Sequence, residues 1–187
     1  MGYTAVNTKI RAMGKRFGIK DLDRILLWLP DKPSRDLLTA MMFERERGIT
    51  GYLLLRRALR YACKADRRAL TSLAGMEADL CNIVWMYRLK KYYGVTGDAT
   101  YGRLIPIRYR LTEEMTRRMV SAKDEEGLLA IVSQGPYAAV FPSFERPERL
   151  MHQALVKQYN KQARLHPNTL APVCAYLYEA RMRAVSW

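Results

Sequence analysis

Apolar residues recur along this chain at helical rather than alternating intervals. In "YTAVNTKIRAMGKRFG" (3–18), Tyr3, Val6, Ile10, Met13 and Phe17 fall within an arc of roughly 80° at about 100° per residue. That spacing predicts one amphipathic helix, which Gly18 stops. Asp21 is expected to cap a short second helix ended by Pro30. Ser34 is expected to cap a third, which carries Leu37, Leu38 and Met41 inward and ends at Gly48. Thr50 opens a fourth, "GYLLLRRALRYACKAD". Thr112, followed by Glu113 and Glu114, starts a later helix, and Asp124 with Glu125 and Glu126 starts another. The segments 147–165 and 168–187 complete the set. Only "RLIPIRYRL" (103–111) alternates like a strand; Pro106 weakens it, and no partner strand is in sight. The pattern predicts an all-α fold of about ten helices with short loops.

Two helices carry polar residues that the stripe pattern alone does not explain. In "EADLCNIVWMYRLKKYYG" (77–94), Leu80, Ile83, Val84 and Tyr87 form one apolar face, and Cys81, Trp85, Leu89 and Tyr92 a second. A helix apolar on two sides is expected to lie between neighbours. Asp79 and Asn82 sit inside it, and Asp79 lies on the opposite side from Arg88, so the two cannot pair within the helix. Both polar residues are therefore expected to reach free backbone groups on adjacent elements, since burial without a partner costs on the order of 1–3 kcal/mol. Arg88, Lys90 and Lys91 suit the negative end of the helix dipole.

In the fourth helix, Arg56, Arg57, Arg60 and Lys64 lie within about 100° of one another, opposite Leu54, Leu55, Ala58, Leu59 and Ala62. An unbroken helix would place Asp66 on the apolar face, so a break is expected at Asp66, its carboxylate capping the next helix. The basic stripe has no interleaved acid, which makes it a candidate partner-facing surface as well as an ordinary solvated one.

Composition narrows the functional classes. With 187 residues, 49% apolar and 27% charged, the chain has the make-up of a folded soluble protein. No window reaches the roughly 18 uninterrupted apolar residues of a membrane span, and no signal-peptide pattern opens the sequence. Cys63, Cys81 and Cys174 are odd in number and widely spaced, and are expected to be reduced, buried thiols of a cytoplasmic protein. The net charge of +14 is the outlier and calls for an acidic partner. Chemistry finds little to stand on. His152 and His166 lack ligands at metal spacing, and no phosphate loop, dinucleotide fingerprint or nucleophile elbow is present. Tyr92–Tyr93 and Tyr176/Tyr178 offer stacking faces but stand at core-like helical spacing. No catalytic residue, cofactor site or metal site is expected.

Several stretches, in order, resemble the AC39 (C/d-type) family of V-type ATPase components. They are "DLCNIVWMYRLKKYYG" (79–94), "LIP" (104–106), "LTEEMTRRMVSAKDEEGLLAIVSQGPYAAV" (111–140) and "ALVKQYNKQARLHPNTLAPVCAYLYEARMRAV" (154–185). The family pattern of an Asp, an Asn three residues on and then an Arg is met by Asp79, Asn82 and Arg88. Ile105–Pro106 matches its Ile-Pro turn, Thr112 its capped helix, Pro136–Tyr137 its Pro-Tyr turn, and Ala171–Pro172 to Tyr178 its tyrosine-rich helix. The opening "YTAVNTKIRAMGKRF" (3–17) is similar to the family's first helix.

The resemblance implies helical modules of the AC39 type and a non-catalytic role. A member would sit as a funnel on the cytoplasmic end of the membrane proteolipid ring, accept the foot of the central shaft (subunits of D and F type), and pass torque for ion transport. Such a protein is peripherally attached to the membrane through its complex. The length leaves room for about two of the family's three modules. Residues 1–50 are then a shortened first module with a deletion near 30–50, and 51–187 carry the repeated unit; self-association or a neighbour would close the funnel. Within this reading Asp79, Asn82 and Arg88 are structural, and Arg56, Arg57, Arg60 and Lys64 face a partner. The alternative is a basic helical nucleic-acid-binding protein, resting on the charge; no helix-turn-helix, RNP or zinc signature accompanies it, so only weak, non-specific nucleic-acid binding is expected.

Overall fold

The computed structural model describes residues 3–13, 22–29, 31–42 and 49–184. Among them are ten α-helices and no strand, so the all-α expectation holds. In order they are α1 (Thr4–Met13), α2 (Leu22–Trp28), α3 (Lys32–Met42), α4 (Ile49–Tyr61), α5 (Lys64–Tyr93), α6 (Asp98–Tyr101), α7 (Glu113–Ser121), α8 (Glu125–Val132), α9 (Pro147–Leu165) and α10 (Ala171–Ala184). They form two compact units, Met1–Ala74 with Leu155–Trp187, and Gly75–Ala154. The module boundary expected near residue 50 borders residues 43–48, outside the described set.

In the first unit, Tyr3, Val6 and Ile10 are buried on one stripe, and α10 lies against α1 and α3. The side chain of Met13, together with Phe17, Gly18, Asp21, Pro30, Gly48 and the side chain of Thr50, falls outside the described residues. Leu37, Leu38 and Met41 point inward from α3, which packs on α4. The cap of α3 is Asp31, not Ser34. Asp31 Oδ1 accepts from the Ser34 N–H at 2.8 Å, the third-position donor that a capping side chain reaches. Pro33 occupies the first turn, where no N–H is required.

On α4 the buried arc is centred on Leu55, with Tyr52 on one side and the half-buried Ala58 and Leu59 about it. Leu54, about 100° round from Leu55, falls outside that arc and is 39% exposed, so it does not belong to the apolar face as expected. The break after α4 lies at Ala62–Cys63, ahead of Asp66. Cys63 takes the first-turn donors of α5: its Sγ accepts from Asp66 N–H at 3.4 Å and its carbonyl from Arg67 N–H at 2.9 Å. Arg67 turns back and donates to the carbonyls of Leu59, Arg60 and Ala62 at 3.1, 2.8 and 3.0 Å, closing the C-terminal end of α4.

In the second unit, α7 lies against α6 and α8. Thr112 Oγ1 accepts from Met115 N–H at 3.1 Å and Asp124 Oδ1 from Gly127 N–H at 2.9 Å, the two caps predicted from sequence. On α5, Leu80, Ile83, Val84 and Tyr87 are buried, and Tyr87 meets Phe144 at 4.7 Å between ring centres. The expected second apolar face is only partly covered: Cys81, Trp85 and Leu89 are half-buried and Tyr92 is exposed. The helix ends in a Schellman turn, in which Val95 N–H bonds Leu89 O and Gly94 N–H bonds Lys90 O. Gly94 adopts φ 59°, the left-handed conformation that glycine alone takes without cost. None of the three cysteines is in a disulfide; Cys174 is buried, Cys81 half-buried and Cys63 exposed, so three buried thiols are not found.

Candidate functional site

The polar residues of α5 organise the second unit. Asp79, fully buried, accepts four hydrogen bonds. Backbone N–H groups of Tyr109, Arg110 and Leu111 donate to it at 3.2, 2.7 and 3.1 Å, and the Tyr137 hydroxyl donates at 2.8 Å. Three residues on, Asn82 binds both sides of one peptide: Ile105 N–H donates to its Oδ1 at 2.8 Å, and its Nδ2 donates to Ile105 O at 3.0 Å. Residues 103–111 therefore form no strand. Ile105 N–H and C=O and the N–H groups of Tyr109, Arg110 and Leu111 bond side chains of α5 instead of a ladder, and the N–H groups of Arg103 and Leu104 bond the carbonyls of Thr100 and Tyr101. Burial pushes the Asp79 carboxyl above its ordinary range, opposed by its four hydrogen bonds, and burial with the adjoining carboxylate pushes the Tyr137 hydroxyl strongly up. Arg88 takes no part: it is exposed, 3.9 Å from Glu148.

The loop presses closely on the helix. A Cβ placed on Gly75 would lie 2.6 Å from Tyr109 Cβ and 2.7 Å from its Cγ, too near for any rotamer change to relieve. Gly75→Ala should therefore destabilise the protein by about 1–3 kcal/mol, although alanine is the better helix former. Urea unfolding measures this; unchanged or raised stability would contradict the close approach.

Lys90 does not serve its own helix end. Its buried ammonium donates to Val120 O at 2.8 Å and Ala122 O at 2.5 Å, supplying donors to the carbonyl end of α7. Burial holds its pKa below the ordinary lysine value, with Asp124 opposing. Lys91 instead donates to the Tyr87 hydroxyl at 2.7 Å. The reason is reach: four methylenes carry the Lys90 charge past the last turn of α5 to a neighbouring set of unpaired carbonyls.

A second buried carboxylate, overlooked as an acceptor in the sequence, organises the first unit. Asp66 accepts from Leu170 N–H at 2.7 Å, just ahead of α10, from the Tyr3 hydroxyl at 2.8 Å, and from the Cys63 thiol at 3.3 Å. With its proton given to Asp66, the Tyr3 oxygen is left to accept from the Ser34 hydroxyl at 2.5 Å. Desolvation raises the Tyr3 hydroxyl pKa strongly. The conflict noticed in the sequence, an acid on an apolar face, was the available signal: the helix does break, but ahead of Asp66, and the acid is still buried, on α5, where it finds its donors.

The four basic residues expected on one helix face are divided by the break at Ala62–Cys63, which puts Lys64 on the next helix. Arg56, Arg57 and Arg60 on α4 and Lys64 at the start of α5 are all exposed, without ion pairs among the described residues. Leu53 and Tyr61, 46% and 70% exposed, lie among them. The described residues contain no group of side chains able to hold a metal, and no helix long and apolar enough to cross a membrane. Glu113 pairs with Arg117 at 2.8 Å and Arg108 at 3.1 Å, which accounts for one of the first-turn glutamates without acid–base chemistry. Tyr178 is core, stacked on Tyr159 at 4.5 Å, whereas Tyr92 and Tyr93 are exposed.

Comparison with known families decides the identity of the chain. The family model described as ATP synthase (C/AC39) subunit matches residues 52–182. The chain belongs to that family. No curated protein and no solved structure matches it. The AC39 match takes in Asp66, Asp79, Asn82, Ile105, Tyr137 and α10 as far as Met182, so both buried carboxylate clusters draw on the matched segment, while α1 to α3 lie outside it. AC39 proteins are non-catalytic ATP synthase subunits, and membership associates this chain with a V-type ATPase complex.

Proposed function

We propose that the chain is a non-catalytic adaptor of the central rotor, linking shaft subunits of D and F type to the membrane proteolipid ring on the cytoplasmic side and serving ion transport. The observation that carries this reading is α5, a continuous helix of 30 residues with Asp66 near one end and Asp79, Asn82 and Lys90 along the rest. At about 1.5 Å per residue it runs some 45 Å, and each of these side chains bonds backbone groups of another segment. Helix segments so pinned to their neighbours within each unit suit a part that carries mechanical load and needs no chemistry of its own. Asp79 and Asn82 are structural in this role, while Arg88 lies on the exposed surface of the same helix, near Glu148. Arg56, Arg57, Arg60 and Lys64 would recognise acidic surfaces of the shaft or ring.

Reversing these four charges should weaken attachment to the complex, modestly for one and progressively for more, since an exposed pair contributes ~0–1 kcal/mol. The test is recovery of rotary ATPase subunits from membranes with the wild-type and the quadruple variant, beside a salt titration with duplex and single-stranded nucleic acid. A nucleic-acid binder, which the +14 charge alone would favour, shows log K falling with log salt at about −0.9 per phosphate contacted. Tight binding that persists at physiological salt, with no ATPase subunit recovered, would overturn the adaptor reading.

A further inference from the structure

The exposed side of α4 carries apolar side chains as well as cations. At about 100° per residue, Leu53, Leu54, Arg56, Arg57, Arg60 and Tyr61 fall within an arc of about 160°, centred opposite the buried Leu55. All six are exposed. Round the helix the order is Arg56, Arg60, Leu53, Arg57, Tyr61, Leu54, so the guanidinium groups run into the apolar side chains and do not stand apart from them. An outward helix face commonly sets acids one turn from its cations. Here Arg56, Arg57 and Arg60 have no carboxylate partner among the described residues.

Charge of one sign continues past the helix. Between Ile49 and Ala74 the acid is Asp66 alone, and it is buried and bonded to Leu170 N–H, the Tyr3 hydroxyl and the Cys63 thiol. Lys64, Arg67 and Arg68 are exposed along the same stretch, so it shows water six cations and no acid. A protein partner held in one register is usually met by charges of both signs; a cationic stretch of this kind matches a partner that is anionic throughout. The apolar residues then choose between such partners. Nucleic acid offers phosphates and stacking bases, but nothing to Leu53 and Leu54 on the outward ridge of a helix. The boundary between lipid headgroups and acyl chains accepts leucine at one depth and arginine at the next, the long side chain reaching back to the phosphates. Tyrosine suits the same boundary, its ring inward and its hydroxyl among the headgroups.

From this arrangement we infer that α4 lies against a bilayer surface containing anionic lipid, with Leu53, Leu54 and Tyr61 at the headgroup boundary and Arg56, Arg57 and Arg60 on lipid phosphates. The contact runs in the plane of the surface and calls for no spanning helix. It goes beyond the attachment proposed above, which sets the arginines of this face against acidic protein and gives its leucines nothing to cover them. It also involves no rotary subunit, so binding of the chain to lipid and recovery of the complex can fail separately.

The test is co-sedimentation of the purified full chain with vesicles of equal parts phosphatidylcholine and phosphatidylglycerol, beside vesicles of phosphatidylcholine alone. Binding to the anionic vesicles only is expected. Arg56→Gln, Arg57→Gln and Arg60→Gln together should weaken it about a hundredfold, at about fivefold for each cation near the surface, and added salt should shrink that difference. Leu53→Ser with Leu54→Ser should weaken it about tenfold, a difference that salt leaves in place. Arg103→Gln with Arg118→Gln, exposed cations of the second unit, should change it by less than about twofold. Tyr61→Trp should shift its fluorescence to the blue on anionic vesicles and be quenched by brominated acyl chains. Every substituted side chain is exposed, and thermal unfolding checks that each variant folds; the arginine and serine sets carry the test independently of each other. Equal binding to neutral vesicles, a loss with the Arg103 and Arg118 pair as large as with the three arginines of α4, or indifference to the two serines would each overturn the inference. So would binding to soluble polyglutamate as tight as to the vesicles, which would give the face to an acidic protein.

Discussion

Asp79→Leu is expected to abolish cooperative folding of the protein, or to leave it with a small fraction of its wild-type stability. The carboxylate is fully buried and satisfies three backbone N–H groups and one tyrosine hydroxyl. Leucine keeps the branched outline with bulkier methyl groups and pairs with none of them. Each buried donor so orphaned costs about 1–3 kcal/mol, and a domain has only about 5–15 kcal/mol in all. Asp79→Asn, which keeps one acceptor oxygen, should fall between the two. Asn82→Leu, which strands one N–H and one C=O of Ile105, should lose less than Asp79→Leu. Urea denaturation followed by circular dichroism gives the order, and hydrogen exchange locates it: the amides of Tyr109, Arg110 and Leu111 should lose protection first. An Asp79→Leu protein that unfolds at the wild-type midpoint would refute a structural role. If it were stable yet failed to assemble, Asp79 would have to be a functional contact instead.

Asp66→Leu should produce the second largest loss, centred on the other unit. Two strong donors lose their acceptor, Leu170 N–H and the Tyr3 hydroxyl, and the Cys63 thiol loses a weaker contact. About 1–3 kcal/mol for each strong donor again approaches the stability of a domain. Tyr3 lies ahead of α1 and Leu170 ahead of α10, so the substitution loosens both of these helices from α5 at once. Exchange at the Leu170 amide should rise sharply, while the amides at 109–111 respond less. The combination Asp66→Leu with Tyr3→Phe is the informative control: it removes one stranded hydroxyl, so it should cost less than the sum of the two single changes. Strict additivity would show that the Tyr3 hydroxyl is satisfied elsewhere.

Much of the helical framework was legible because the signals are local. The caps at Thr112 and Asp124 involve a side chain and a backbone N–H three residues away, and the inward residues of α1 and α3 follow a period that any neighbour would satisfy. Two local signals misled for local reasons. Ser34 is a good capping residue, but Asp31 stands at the geometrically correct place and takes the N–H. Asp66 is a good cap too, but Cys63 starts the helix, leaving the carboxylate free for a distant donor.

The sequence by itself determined that the fold is all-α, that Asp79 and Asn82 sit on a helix too apolar to leave them in water, and that the arginines of α4 share one side. Tertiary structure alone decided where those groups go. The partners of Asn82, Asp79 and Asp66 lie 23, up to 58, and up to 104 residues away along the chain. Lys90 turns from its own helix end to that of α7, and Asn7 gives its amide hydrogens to carbonyls after α9. The physical reason is the same throughout. Periodicity and capping are settled within a turn of helix, whereas a buried polar group takes whichever free backbone group the packing of other elements brings within about 3 Å of it.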